Sequence, residues 1–344
     1  MANTIDTTDY IVRIPALGRD GTKPALRLGG CGVLISYHCN LSCAHCYVRA
    51  SPEKKQRMSV VDAMRHFQAF YDLGAPSDEL HITGGEPFLD FDYLTDIVAA
   101  ARDAGFDRIG HVETNASWAF TDHICEDRLL KLRKQGVQRL WISCDIFHQQ
   151  FVPLSHVTRL MSISKRILGE GSVIMRWPSG LTRQNHAGQM KINEIRRYFE
   201  DSTRESPERL GGRGVDAIAP MLQKRAIDDL DTSPCGRKML KKKHLHIDPS
   251  NVLFVGVGCV AIGNATLQSV GDVLSQVSHK SNPLLSILAQ EGPTKKLLSI
   301  ALESGFRAEK EYASKCHLCY EIRRFLKKGD IFTAELGPAS WYYG

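Results

Sequence analysis

Between residues 28 and 221 the chain repeats one pattern: a short apolar run, then a longer stretch of helical periodicity. Strands are expected at residues 32–36, 79–83, 108–114, 138–143, 172–177 and 215–219. A strand reaches a parallel neighbour only through a crossover, usually a helix, so this alternation calls for a parallel sheet. Six units are too few for a full eight-stranded barrel, which predicts an α/β fold with an open, partial (β/α)6 barrel. The intervening helices carry their own signals. Ser59 and Asp62 form a capping-box pattern at the start of Val60, Met64, Phe67 and Tyr71. Leu154, Val157, Met161 and Leu168 make a second apolar stripe, interrupted at Ser164. Both stripes are expected to face the core, because burying one face is what holds a surface helix down.

The pattern changes near Gly211-Gly-Arg-Gly214 and again after Met221. Beyond it a hairpin is expected, residues 244–248 turning at Pro249-Ser-Asn251 into 252–255, then helices over 283–290 and 294–303. The expected organisation is an N-terminal extension over 1–28, a barrel over 29–225 and a small C-terminal domain over 226–344. A chain of 344 residues, 43% hydrophobic and 24% charged, is long enough to bury one large core and a smaller one. The net charge of +6 is scattered. Its densest run, Lys241-Lys242-Lys243 near Arg237 and Lys238, reads as a solvated face rather than a nucleic-acid footprint.

The first residues lack the basic start and apolar stretch of a signal peptide, and no apolar run approaches the ~18 residues of a membrane span. The expected location is cytoplasmic. There, ten cysteines point to metal or redox chemistry, because that compartment keeps thiols reduced.

Cys39, Cys43 and Cys46 stand within eight residues just after the first strand. That puts them at the carboxyl edge of the sheet, where parallel α/β sites lie. Three thiolates leave a four-ligand cluster one corner short. A zinc site would instead need a fourth ligand such as Cys31, His38 or His45. Gly84-Gly-Glu-Pro87 ends the second strand, where glycine lets backbone approach a ligand and proline fixes the turn. Polar residues end the later strands: Glu113 and Asn115, then Ser143 and Asp145 on one face with Cys144 opposite, then Arg176. Such residues cost stability unless paired, so they are either ligand contacts or local caps. His148 titrates near neutrality and is a proton carrier or a satisfied structural histidine.

The Cys-x3-Cys-x2-Cys spacing followed by Gly-Gly-Glu-Pro resembles the radical S-adenosylmethionine superfamily. The resemblance implies a [4Fe–4S] cluster on Cys39, Cys43 and Cys46, its fourth iron chelated by the amino and carboxylate groups of S-adenosylmethionine. One electron, from a donor such as flavodoxin or ferredoxin, cleaves the sulfonium, and the resulting 5′-deoxyadenosyl radical takes a substrate hydrogen. It also implies cofactor contacts from Tyr37, His45, Gly84, Gly85, Glu86, Pro87, Glu113, Asn115, Ser143, Asp145 and Arg176. Glu86 is then expected near the methionine amino group and His45 near the adenine. His148, Asp145 and Cys144 are the candidates for chemistry on the substrate.

The tail is similar to the twitch domain, a shortened relative of the SPASM domain. That likeness implies a second, auxiliary [4Fe–4S] cluster on Cys235, Cys259, Cys316 and Cys319, although zinc would use the same four thiolates. Cys31, Cys125 and Cys144 are left over from the two sets, and a free buried cysteine is usually a small hydrophobe.

The chain resembles peptide-modifying members, the epipeptide epimerases among them, through the stretches Thr114-Asn-Ala-Ser-Trp118 and Ser143-Cys-Asp-Ile-Phe-His-Gln-Gln-Phe-Val152. An epimerase must return a hydrogen atom from a thiol. Here the second cluster needs Cys259, and Cys144 serves only if it faces inward. The expected activity is modification of a ribosomally made peptide, by oxidative cross-linking or epimerisation. The alternatives are radical oxidation or decarboxylation of a sugar, aminocyclitol or nucleoside, and a non-catalytic iron–sulfur protein.

Overall fold

The computed structural model describes residues 28–182, 190–205, 210–239, 244–255, 260–277, 281–337 and 340–344. The expected N-terminal extension, the Lys241–Lys243 run and Cys259 lie outside the described residues.

Five strands pair in chain order and all run parallel: β1 (Gly30–Leu34), β2 (Leu80–Thr83), β3 (His111–Thr114), β4 (Leu140–Ile142) and β5 (Val173–Ile174). The crossovers are α1 (Val60–Asp72), α2 (Phe91–Asp103), α3 (Asp122–Lys134) and α4 (Leu154–Leu168). The α/β class and the parallel sheet are as expected from the alternation. Cys31, Val33, Ile82, Val112, Leu140 and Ile142 are buried along one face. The alternate positions, Gly32, His81, Thr83, His111, Glu113 and Trp141, project to the other face, the barrel interior.

The helix signals are met with a rotation. Ser59 accepts from the Asp62 N–H at 3.0 Å, which satisfies one orphan donor of α1. The buried face of α1 is Ala63, His66, Phe67 and Phe70, whereas Tyr71 is 46% exposed. Tyr71 rests edge-on against Phe106 at the edge of the core, while Phe70 is fully buried within it. In α4 the buried set is Val157, Leu160, Ile163, Ser164 and Ile167, so Ser164 continues the stripe instead of breaking it.

The sixth expected strand, residues 215–219, is wrong. After α5 (Ile192–Glu205) the chain forms α6 (Arg213–Ala217); Val215 within it and Ile218 just after it are buried three residues apart, a helical interval. The sixth parallel strand comes from the expected hairpin. Past β6 (Arg225–Ala226) and the short α7 (Gly236–Met239), β7 (His244–Ile247) pairs parallel with the free edge of β1. β8 (Val252–Val255) and β9 (Val260–Asn264) then add antiparallel to it. The result is one eight-stranded sheet, in the order β5-β4-β3-β2-β1-β7-β8-β9.

The tail continues with α8 (Val270–Gln276), α9 (Pro283–Gln290), α10 (Leu298–Glu303), β10 (Glu311–Tyr312, paired with β6) and α11 (Lys315–Lys328). α9 falls where the sequence put it. The next expected helix begins as a wide turn over Pro293–Leu297 before α10. Among the described residues no helix is long and apolar enough to cross a membrane.

Candidate functional site

The carboxyl ends of β1 to β5 converge on one cavity of about 720 Å³. Cys39, Cys43 and Cys46 line it from the loop after β1, Gly84, Gly85 and Pro87 from the loop after β2, and Glu113 and Asn115 from β3. Ser143, Cys144, Asp145 and His148 come from the segment after β4, and Arg176 from beyond β5. Cys235, Cys316 and Cys319 line the same cavity from the tail. Both cysteine sets therefore open on a shared space.

The cysteine loop is held by backbone contacts from far along the chain. The Arg213 guanidinium donates to the Cys43 carbonyl at 2.9 Å and to the Ala50 carbonyl at 2.6 Å, and the Arg213 N–H donates to the Cys46 carbonyl at 3.1 Å. Gly212 makes that approach possible: its φ is +54°, and a Cβ there would lie 2.3 Å from the Tyr47 carbonyl oxygen. On the other side Gly85 donates to the Ser36 carbonyl at 2.6 Å, and a Cβ on it would meet the His38 carbonyl oxygen at 2.1 Å. The Gly211–Gly214 run thus packs on the cysteine loop as a clamp. No signal within either segment alone pointed to this contact.

Burial pushes the Cys39 thiol up to about 12 and raises that of Cys46 despite the nearby Arg213 charge. Burial also takes Cys319 up to about 12. A buried thiol becomes a thiolate readily only when a metal replaces its proton, so both sets suit a positively charged metal centre. His45 adds a second sign of a ligand. Its ring stacks on Phe147 at 4.7 Å, and its Nδ1 is buried without a hydrogen-bond partner among the described residues.

Glu86 is not among the lining residues. Its carboxylate accepts from the Phe88 N–H at 3.1 Å, the Thr114 hydroxyl at 2.8 Å and the Asn115 N–H at 2.6 Å. Burial raises its pKa to about 7, against the pull of those donors. The side chain ties the end of β2 to the end of β3, and it is Gly84 and Gly85 that line the cavity. Tyr37 is also absent from the lining; it is buried and donates to the Asp248 carboxylate at 2.7 Å. It joins β1 to the hairpin turn.

Asp145 is buried and forms an ion pair with the partly exposed His148. Burial opposes charge on Asp145, but the His148 and His45 imidazoles outweigh it and hold the carboxyl well below its usual range. His148 likewise overcomes burial and sits well above the usual histidine value, with Nδ1 2.6 Å from Asp145 Oδ2. His45 Nε2 lies 3.4 Å from the same oxygen. Cys144 was expected opposite Ser143 and Asp145. It lines the cavity with them, because β4 ends at Ile142 and the alternation ends with it. Burial pushes its thiol up to about 11.

Asn115 Nδ2 donates to Asn40 Oδ1 at 3.1 Å beside the Cys39 sulfur. Glu113 accepts from the Thr83 hydroxyl at 2.6 Å. Arg176 lies over the Trp177 ring at 4.7 Å. In the tail, Lys315 pairs with Asp231 at 2.7 Å and donates to the Ser233 carbonyl at 2.8 Å, bringing the start of α11 to the segment before Cys235.

Sequence reasoning missed the polar interior of the sheet, His81, His111, His244 and His246. Strand alternation was the available signal, since it puts His81 with Thr83 and His111 with Glu113 on one face.

Residues 33–167 match the family model described as Radical SAM superfamily. No curated protein matches the chain. Among solved structures the chain is similar to BtrN in complex with AdoMet and 2-DOIA, at 14% identity over 78% of this chain and 90% of that one, with a TM-score of 0.48. It is also similar to Streptococcus suis SuiB bound to S-adenosylmethionine, at 16% identity over 77% and 69% of the two chains, with a TM-score of 0.38. The same SuiB bound to precursor peptide SuiA gives 16% identity, 76% and 66% coverage, and a TM-score of 0.38.

Proposed function

We propose that the chain carrying this Radical SAM superfamily domain is a radical S-adenosylmethionine oxidoreductase that modifies a ribosomally made peptide. The observation that carries the reading is the single cavity on which the strand ends and both cysteine sets open. Cys39, Cys43 and Cys46 would hold a [4Fe–4S] cluster with S-adenosylmethionine. Cys235, Cys316 and Cys319, with Cys259 as the fourth ligand expected from sequence, would hold an auxiliary [4Fe–4S] cluster in a twitch-like tail. When bound, the first cluster and S-adenosylmethionine supply a carbon-centred radical that takes hydrogen from a substrate.

The chain's own residues do the positioning. Gly212 and Arg213 hold the cysteine loop, Gly84 and Gly85 offer backbone to the cofactor, and Asn115, Ser143 and Arg176 line its flank. His148 keeps a proton at the cavity wall against the Asp145 charge. Cys144 keeps its hydrogen at neutral pH, the form from which a thiol returns a hydrogen atom to a carbon radical. Epimerisation and oxidative cross-linking both fit this arrangement, and Cys144→Ala separates them by abolishing only the first. The polar wall made by His246, Glu113 and Ser143 also suits a hydroxylated small molecule, so a sugar, aminocyclitol or nucleoside is the second reading.

The test is anaerobic reconstitution followed by reduction. The protein should hold about eight irons per chain and convert S-adenosylmethionine to 5′-deoxyadenosine. An iron-loaded, reduced protein that leaves S-adenosylmethionine intact would be a non-catalytic iron–sulfur protein. A short precursor-peptide gene beside this one favours the peptide, and sugar or nucleoside biosynthetic genes there reverse the ranking. Deuterium passing from substrate into 5′-deoxyadenosine then identifies the carbon attacked.

A further inference from the structure

Four histidines converge inside the sheet at the floor of the barrel. His81 and His111 are paired in register across β2 and β3, and His246 is paired with Gly32 on the other side of β1. His244, paired with Gly30, stands two residues earlier on the same face of β7. The rings are in contact: His81 lies 5.0 Å from His244 and 5.1 Å from His246, and His244 lies 4.8 Å from His246.

β1 supplies the room. A Cβ at Gly32 would come within 2.4 Å of His81 Nε2 and 2.5 Å of His246 Cδ2, and one at Gly30 within 2.5 Å of His244 Nδ1. Two glycines spaced by two on an otherwise apolar strand therefore open a slot that imidazoles fill from both sides.

One nitrogen each from His81, His244 and His246 lies within 4.8 Å of the others. A second observation points to a ligand: His246 Nδ1 is shut off from solvent and has no hydrogen-bond partner among the described residues. An unpaired polar atom in a low-dielectric interior costs free energy, and three imidazoles merely packing together would not recover it. Glu113 brings a negative charge to one side of the cluster, 4.0 Å from His81 Nε2 and 3.9 Å from His111 Nε2. Imidazole nitrogens beside a carboxylate are the donor set of zinc and of similar borderline ions, whereas the cysteine sets suit iron–sulfur centres.

We propose that His81, His244 and His246 form a site for one divalent transition-metal ion of the zinc or cobalt type. Zinc–nitrogen bonds of about 2.0–2.1 Å require the three rings to close inward by a rotamer-scale adjustment. Three protein nitrogens leave a fourth position, as in open zinc sites. Access to that position would come from the cavity, which His246 lines. The ligand class for it is an oxygen donor, either water or a carboxylate or carbonyl of the bound substrate. The site does not depend on the radical reading, since its metal and ligands differ from those of the cysteine centres.

The test loads zinc onto the anaerobically reconstituted protein and reads zinc, iron and sulfide together with zinc X-ray absorption. The expected result is one zinc per chain with nitrogen or oxygen neighbours near ~2.0 Å and no sulfur at ~2.3 Å. His81→Asn and His246→Asn should each lose the zinc and keep the iron, while His111→Asn keeps both. Sulfur neighbours, absence of zinc uptake, or zinc retained in both His81→Asn and His246→Asn would each overturn the proposal. So would zinc lost in His111→Asn but kept in His246→Asn, which moves the ion to His81, His111 and Glu113. Unchanged iron content shows that a variant is folded; where one is not, the wild-type absorption spectrum alone decides.

Discussion

The backbone N–H of Asn115 donates to the Glu86 carboxylate at 2.6 Å, and both residues are buried. This bond makes Glu86 a joint between the ends of two strands. Glu86→Ala leaves three donors to find new partners, at a cost of order 1–3 kcal/mol for each one left unpaired. The expected outcome is a thermal midpoint lowered by about several degrees, with weakened S-adenosylmethionine binding because Asn115 shifts. Glu86→Gln keeps one acceptor oxygen and should fall between. Calorimetry and ligand titration on the reconstituted proteins check both, and a midpoint unchanged in Glu86→Ala would refute the joint.

Gly212 carries its φ of +54° against the Tyr47 carbonyl. Gly212→Ala should cost of order 1–3 kcal/mol in backbone strain and displace the cysteine loop. Iron at Cys39, Cys43 and Cys46 should then leach faster into a chelator. Gly171→Ala is the control, because a Cβ there meets nothing within 4 Å.

Lys315 is buried but its partner Asp231 is half-exposed, so the pair adds about 1 kcal/mol or less to stability. Its effect is positional. Lys315→Met should barely move the thermal midpoint, yet lower the iron held by Cys235, Cys316 and Cys319. Cys316→Ala combined with Cys319→Ala should leave about half of the wild-type iron. Iron analysis decides both, and full iron in the double variant would remove the tail cluster.

His66 on α1 is buried, with Nε2 2.7 Å from Asn251 Oδ1. Burial lowers its pKa below the ordinary histidine value of 6.5. Because the folded form binds the proton less readily than the unfolded chain, its contribution is present above pH 6.5 and is lost as pH falls toward the folded value. His66→Gln, which still donates to Asn251, should flatten the stability loss between pH 7 and 5. Urea midpoints across that range give the comparison, and parallel slopes in the two proteins would exclude His66 as the cause.

Local pattern was enough for much of this molecule. Alternating apolar runs and helical stripes reveal which face of an element is buried, and so led to β1 to β5, to α1 and α4, and to the hairpin. The spacing of Cys39, Cys43 and Cys46 placed three thiols on one loop at the carboxyl edge, and the turn at Gly84-Gly-Glu-Pro87 set backbone beside them. Residues 215–219 misled because a short, mostly apolar segment suits a strand or a short helix equally.

What the tertiary structure alone decided concerns partners far apart in sequence. It set β7 against β1, closed Glu86 onto Asn115, laid Gly212 and Arg213 on the cysteine loop, and brought Cys235, Cys316 and Cys319 to the cavity of the first triplet. It also assembled His81, His244 and His246 across the slot left by Gly30 and Gly32. Periodicity reports how an element divides its own faces between core and solvent. Which faces then meet is set by strand order and by the space neighbouring side chains leave, neither of which a local stretch of sequence contains.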